Sequence, residues 1–255
     1  MELLYALGLS VVINLAMFLV AFKKQTDKLT DISYAITFVV LALYAMVFSG
    51  AIITSKWILY AMIVIWASRI GTFLYVRISK IGKDKRFDDR RSDFKKFLSF
   101  WMLQAFTVWV VLLGSLEFIY DGVEPIMGFM VAGFIIWAIG LLIESVADFQ
   151  KFQFAQKKAN KNKWISTGLW KYSRHPNYFG EMMVWFGIYV FVVSGLEGTA
   201  QYIAMASPLF ITFLLLFVSG VPLLEKSADK KWGKDKEYLK YKKSTSIIVP
   251  YPSKS

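Results

Sequence analysis

Seven apolar runs dominate the chain, near Leu3–Phe22, Ile32–Thr54, Trp57–Ile78, Leu98–Tyr120, Ile126–Ala147, Pro176–Ser194 and Thr199–Leu224. Each approaches the ~20 residues that an α-helix needs to cross a hydrocarbon core. The chain is 56% hydrophobic and 17% aromatic, above the roughly 45–50% apolar content of a soluble domain. The pattern predicts an all-α, polytopic membrane protein with seven transmembrane helices. No fixed-period repeat and no Gly/Ser- or proline-rich linker divides residues 1–255, so a single domain is expected.

The charges between the runs alternate. Lys23, Lys24 and Lys28 fill the first connection and Lys56 stands alone in the second; Lys80 to Lys96, with Arg86, Arg90 and Arg91, fill the third. The fourth carries Asp121 and Glu124, the fifth seven basic residues from Lys151 to Arg174, the sixth only Glu197, and the tail nine lysines. Basic loops stay cytoplasmic. The amino terminus is therefore expected outside and the carboxyl terminus in the cytoplasm. Met1-Glu2-Leu3-Leu4 lacks the basic start and cleavage site of a secretory signal, so the first run is expected to be retained. The net charge of +12 is then topological, meeting anionic headgroups rather than nucleic acid. No obligatory protein partner is evident.

Several chemistries are excluded. Without cysteine there are no disulfides or thiolates, and a single histidine, His175, cannot build an ordinary zinc site. No metal is expected. G-x-G-x-x-G, G-x-x-x-x-G-K-[ST] and G-x-S-x-G are all absent, which removes the Rossmann, P-loop and nucleophile-elbow arrangements.

Polar chemistry gathers at two places. Glu144 and Asp148, one turn apart, share a face at the inner end of the fifth run, where ionisable groups are costly and mark function. The lysines that follow, with Asn160 and Asn162, suit phosphates and ribose hydroxyls. At the sixth run Pro176 suits the first helical position, leaving Arg174 and His175 at a helix mouth that favours anions. Asn177 and Glu181 lie four apart on one face just inside, and Gly180 leaves room beside the backbone. In the first half, Arg69 sits deep in the third run and calls for an acid, with Asp31 and Glu144 in reach by depth. Gln104 adds to this polar set.

Glu144 to Phe154, Asn160 to Lys163, Thr167-Gly-Leu-Trp-Lys-Tyr-Ser-Arg-His-Pro-Asn-Tyr-Phe-Gly-Glu181, Gly220 to Lys226 and Glu237 to Lys243 resemble a known family, as does Lys83 to Asp88. It comprises bacterial membrane proteins of unknown function grouped with the steroid 5-alpha-reductase C-terminal domain. The likeness runs from about Arg69 to Pro250. It implies a reductase that uses NADPH on an activated carbon–carbon double bond in a lipophilic, steroid-like or isoprenoid substrate drawn from the bilayer. An inner-membrane location with the cofactor site facing the cytoplasm follows. The related isoprenylcysteine carboxyl methyltransferases give the alternative, S-adenosylmethionine. The resemblance assigns Asp148, Asn160, Lys163, Tyr172 and Arg174 to the cofactor, together with His175, Asn177, Tyr178, Glu181 and Glu225. Glu181 also stands among the catalytic candidates. Where the reductases carry a tyrosine shortly before an arginine, alignment on Arg69 places Trp66, which cannot protonate a carbonyl. Asp31, Tyr34 or Tyr75 is expected to supply that proton.

Overall fold

The computed structural model describes residues 1–82 and 87–252; Lys83 to Arg86 of the third connection and Lys254 of the tail lie outside them. The helices are α1 Glu2–Lys23, α2 Lys28–Val47, α3 Thr54–Ile81, α4 Phe94–Asp121, α5 Met127–Gln156, α6 Pro176–Val193, α7 Thr199–Phe213, α8 Val221–Trp232 and α9 Lys236–Ser244. Every apolar run holds a helix. Six stretches among the described residues are long and apolar enough to cross a membrane: α1 to α5 and Thr199–Trp232. The chain is an all-α polytopic membrane protein. α6, with 18 residues and with Asn177 and Glu181 in its first two turns, is not among the six.

The differences from the sequence reading lie at helix ends. α2 starts a turn earlier than its apolar run and stops at Val47, ahead of the Ser49-Gly50 turn. α5 continues through Glu144 and Asp148 to Gln156, past the apolar run that ends at Ala147. The seventh run is not one straight rod. α7 passes through Pro208 into a π-turn at Leu214–Val218, and the chain bends at Ser219-Gly220 before α8. A side chain at Gly220 would strike the Leu215 carbonyl, so the bend needs glycine.

The chain forms two compact units, Met1–Val131 with Tyr189–Ser207 and Ala132–Ile188 with Pro208–Ser255. In the first, α1 packs on α2 and α4, and α2 on α3. Phe18, Phe38, Leu41, Trp66, Phe97 and Trp101 are fully buried in it. A polar knot ties three of its helices. Asn14 Nδ2 donates to Ser10 O and Thr37 Oγ1, and Gln104 Nε2 donates to Asn14 Oδ1 at 2.9 Å and Ser33 Oγ at 3.1 Å. In lipid such bonds hold helices together, because the apolar surroundings offer no hydrophobic drive between them. At one end Arg91 pairs with Asp27 at 2.9 Å and with Asp88. Next to the α3 start, buried Lys56 donates to Ser49 Oγ and Ala51 O.

Candidate functional site

The second unit is organised by the contact between α5 and α6. A Cβ on Gly180 would lie 2.6 Å from Glu144 N and Gly140 O, one on Gly140 2.7 Å from Gly180 O, and one on Gly187 2.5 Å from Trp137 N. The two helices touch backbone to backbone, as small residues permit in membranes. Gly140 and Gly180 are part of this contact because no larger residue fits. It brings the polar end of α5 against the first turns of α6. Glu144 and Asp148 are both buried there, and Asn177 Nδ2 donates to Asp148 Oδ1 at 3.1 Å. Glu181, half-buried, is one turn further along α6.

The loop entering α6 is pinned from three sides. Gly168 takes a left-handed turn, φ 62°, that puts it against the Gln150 side chain, whose Oε1 accepts from Leu169 N at 2.9 Å. Trp170 is buried with Ala147 and Ile165. Its Nε1 donates to Ala147 O at 3.0 Å, and the Lys151 ammonium sits 4.5 Å above its ring. The third side is the tail. Arg174 N donates to Ser246 O at 2.8 Å, Ser173 Oγ to Ile248 O at 2.6 Å, and Tyr251 N to Tyr172 O at 3.1 Å. Tyr241, its hydroxyl pushed up in pKa mainly by burial, stays protonated and donates to Trp170 O at 2.7 Å.

At the α6 mouth one carboxylate gathers two cations and an imidazole. Arg174 Nη1 donates to Glu225 Oε2 at 2.6 Å, His175 Nε2 meets Glu225 Oε1 at 2.9 Å, and Lys242 Nζ stands 3.4 Å from Glu225 Oε2. Burial holds the His175 imidazole below its usual value, against the upward pull of the Glu225 hydrogen bond. In the neutral ring Nε2–H donates to the carboxylate, which leaves Nδ1 as an acceptor. His175 Nδ1 and Arg174 Nε are buried with no hydrogen-bond partner among the described residues. Tyr178 stacks on the imidazole, centroids 5.5 Å apart and planes at 9°.

The structure thus brings Asp148, Arg174, His175, Asn177, Tyr178, Glu181 and Glu225 into the second unit's α5–α6–α8 region. Tyr172 is 40% exposed and Lys163 is exposed beyond it. Asn160 uses its amide to close the end of α5, donating to Phe154 O at 2.9 Å. Residues that sequence reading had not singled out complete the arrangement: Gln150, Ser173, Lys242 and the segment Ser246–Tyr251. Their only local signal was membership of the quoted runs around Gln150, Ser173 and Lys242.

The catalytic candidates Asp31, Tyr34 and Tyr75 belong to the first unit. Asp31 lies 4.0 Å from Arg77. Tyr34 packs edge-on to Phe38 and Trp66, and Trp66, fully buried, packs edge-on to Phe38 with centroids 4.9 Å apart. The Trp66 ring is therefore a core element of the α2–α3 contact. Tyr75 is 48% exposed and lines a groove between α2 and α3. The Arg69 guanidinium is 5.8 Å from the Phe73 ring. Among the described residues no three His, Asp or Glu side chains gather as a metal-holding group.

A family model described as a protein of unknown function, DUF1295, matches residues 17–245. The chain belongs to the DUF1295 family. No curated protein and no solved structure matches it. The DUF1295 match includes the whole α5–α6 contact, Glu225 and Lys242, and it ends one residue before Ser246, where the tail begins to bond the loop.

Proposed function

We propose that the chain is a membrane-embedded reductase that uses NADPH to reduce an activated carbon–carbon double bond in a lipophilic, steroid-like or isoprenoid substrate, and that its family is related to the steroid 5-alpha-reductases. One observation carries the reading: buried Asp148 meets half-buried Asn177 in the same α5–α6 junction whose mouth holds Arg174 and His175. The residues fit a dinucleotide. The α6 mouth favours anions, Arg174 Nε is an unused buried donor for a phosphate, and His175 Nδ1 is an unused acceptor for a ribose hydroxyl or carboxamide N–H. Arg174 and the lysines around Lys163 would hold phosphates, Asp148 and Asn160 ribose or amide groups, and Asn177 and Glu181 the nicotinamide end; Tyr172 and Tyr178 would flank them. NADPH, when bound, supplies a hydride. Asp31, Tyr34 or Tyr75 would supply a proton to the oxygen on which negative charge develops.

The same proposal sets seven transmembrane segments in a bacterial inner membrane, amino terminus outside and cofactor side in the cytoplasm. The charge alternation supports it.

A second reading has one contact in its favour. Tail residue Glu225 reaches the Arg174–His175 pair, and methyltransferases of the wider superfamily use tail acids. There the cofactor is S-adenosylmethionine, with a lipid or thiol substrate. Energy transfer from tryptophan to bound NADPH, and calorimetry with S-adenosylmethionine, test the pair of readings on the purified protein. Saturable NADPH binding, lost in Asp148→Ala and Asn177→Ala, is expected. Binding of S-adenosylmethionine with no NADPH affinity would overturn the reductase reading.

A further inference from the structure

Within the first unit, α2 and α3 part to leave an open groove with a cavity volume of about 350 Å³. Its floor is made by small residues. Gly71 touches α2 so closely that a Cβ would lie 2.7 Å from Ala35 Cβ, and Ala67 continues the floor fully buried. Its walls are Ile32, Ile36, Val39 and Val40 from α2. From α3, Ser68, Thr72 and Tyr75 add three hydroxyls to an otherwise aliphatic surface.

Charged side chains stand next to the lining at the Ile32–Tyr75 end of the groove. Asp31 precedes the wall residue Ile32 and lies 4.0 Å from Arg77, at the limit of an ion pair. Arg77 Nε is buried and has no hydrogen-bond partner among the described residues. Lys28 opens α2 and Lys80 stands in the last turn of α3, so both helix ends that meet here are basic. A slot with aliphatic walls and a guanidinium two residues along α3 from its lining Tyr75 suits an anionic amphiphile. Basic pockets between transmembrane helices bind acidic lipid headgroups in this way. A partner helix is disfavoured: Ile36, 43% exposed, and Tyr75, 48% exposed, rise on opposite walls, where close helix packing needs small residues.

We infer that the α2–α3 groove is a binding site for one hydrocarbon chain of an anionic phospholipid, whose phosphate is taken by Arg77. The hydroxyls of Ser68, Thr72 and Tyr75 line the chain's path toward that headgroup. The site uses none of the cofactor residues, although Tyr75, a proton-donor candidate of the reductase reading, lines it.

The experiment is native mass spectrometry of the full-length protein released from micelles that contain equal amounts of phosphatidylglycerol and phosphatidylcholine. A phosphatidylglycerol adduct at least fivefold more abundant than the phosphatidylcholine one is expected. Ser68→Phe, an exposed position that a ring would fill, should remove the adduct. Arg77→Gln should keep a lipid adduct and lose the preference. Circular dichroism checks the fold, and Ile36→Trp on the facing wall replaces Ser68→Phe if that variant loses helicity. Equal retention of the two lipids by the unaltered protein, or an undiminished phosphatidylglycerol adduct in the folded groove-filling variant, overturns the inference.

Discussion

Glu225 does at the side-chain scale what the α5–α6 glycines do for the backbone. Its two oxygens are divided between Arg174 at 2.6 Å and His175 at 2.9 Å, and the Arg174 side chain is 9% exposed. Removing one member of a buried pair costs about 3–5 kcal/mol, because the other charge is left without compensation. Glu225→Ala is therefore expected to lose about 3 kcal/mol of unfolding free energy, measured by denaturant titration in mixed micelles, and Glu225→Gln less because its amide oxygen still accepts one of the two hydrogen bonds. His175 adds a pH dependence of known sign. Burial puts its folded pKa below the usual 6.5, so as the pH falls below 6.5 the unfolded chain takes up the proton first. Stability then falls with pH. His175→Gln should remove that share of the acid lability, read as a smaller drop in melting temperature between about pH 7 and pH 5; an unchanged drop would show that other groups carry it.

Two elements decide whether the site exists at all. Gly180→Ala places a methyl group within 2.6 Å of the α5 backbone, where only separation of the helices can relieve it. Overpacking of this kind costs about 1–3 kcal/mol. On the proposed reductase reading it is expected to weaken NADPH binding at least tenfold while leaving the helical circular dichroism intact; unchanged binding would separate the Asp148–Asn177 contact from the proposed site. The tail is the second element. Ending the chain after Thr245 removes the acceptors of Arg174 N and Ser173 Oγ and the donor to Tyr172 O. Hydrogen exchange at residues 171–175 should then rise toward that of a free loop, with α1 to α4 unaffected. These elements also show where sequence is and is not informative. The run from Arg174 to Glu181 was legible because proline, glycine and polar residues at helical spacing lie in one contiguous segment. Ser173, Lys242 and Ser246–Tyr251 were not. Their role comes from chain-distant hydrogen bonds, and a lysine in a lysine-rich tail looks the same whether it faces water or Glu225. Trp66 was legible only as a mismatch, and the structure gives it a reason as packing against Phe38.

For the whole molecule, the open quantity is the parity of membrane crossings, and it turns on α6. Its 18 residues span about 27 Å at 1.5 Å per residue, against a hydrocarbon core of about 30 Å. The length nearly suffices, but the polar turns from Asn177 to Glu181 shorten the apolar part. Tying those turns to buried Asp148 on α5 lets polar groups enter the core facing protein rather than lipid, which is how membrane helices tolerate them. A crossing α6 puts Lys163 and Glu197 on opposite sides, and returns the lysine-rich tail to the side of Lys163 as basic-loop placement requires. A non-crossing α6 would put Glu197 beside Lys163 and the tail across the membrane from both. The absence of cysteine makes the chain its own background for the test. Single cysteines at Lys163, Glu197 and Lys236 are labelled in intact cells with a maleimide that cannot cross the membrane. Labelling of Glu197→Cys alone is expected, with Lys163→Cys and Lys236→Cys reacting only after permeabilisation. If Glu197→Cys behaves like Lys163→Cys and only Lys236→Cys reacts in intact cells, α6 does not cross, and the loop before α6 and the segment after α7 would stand on opposite sides, at odds with the Arg174–Glu225 ion pair.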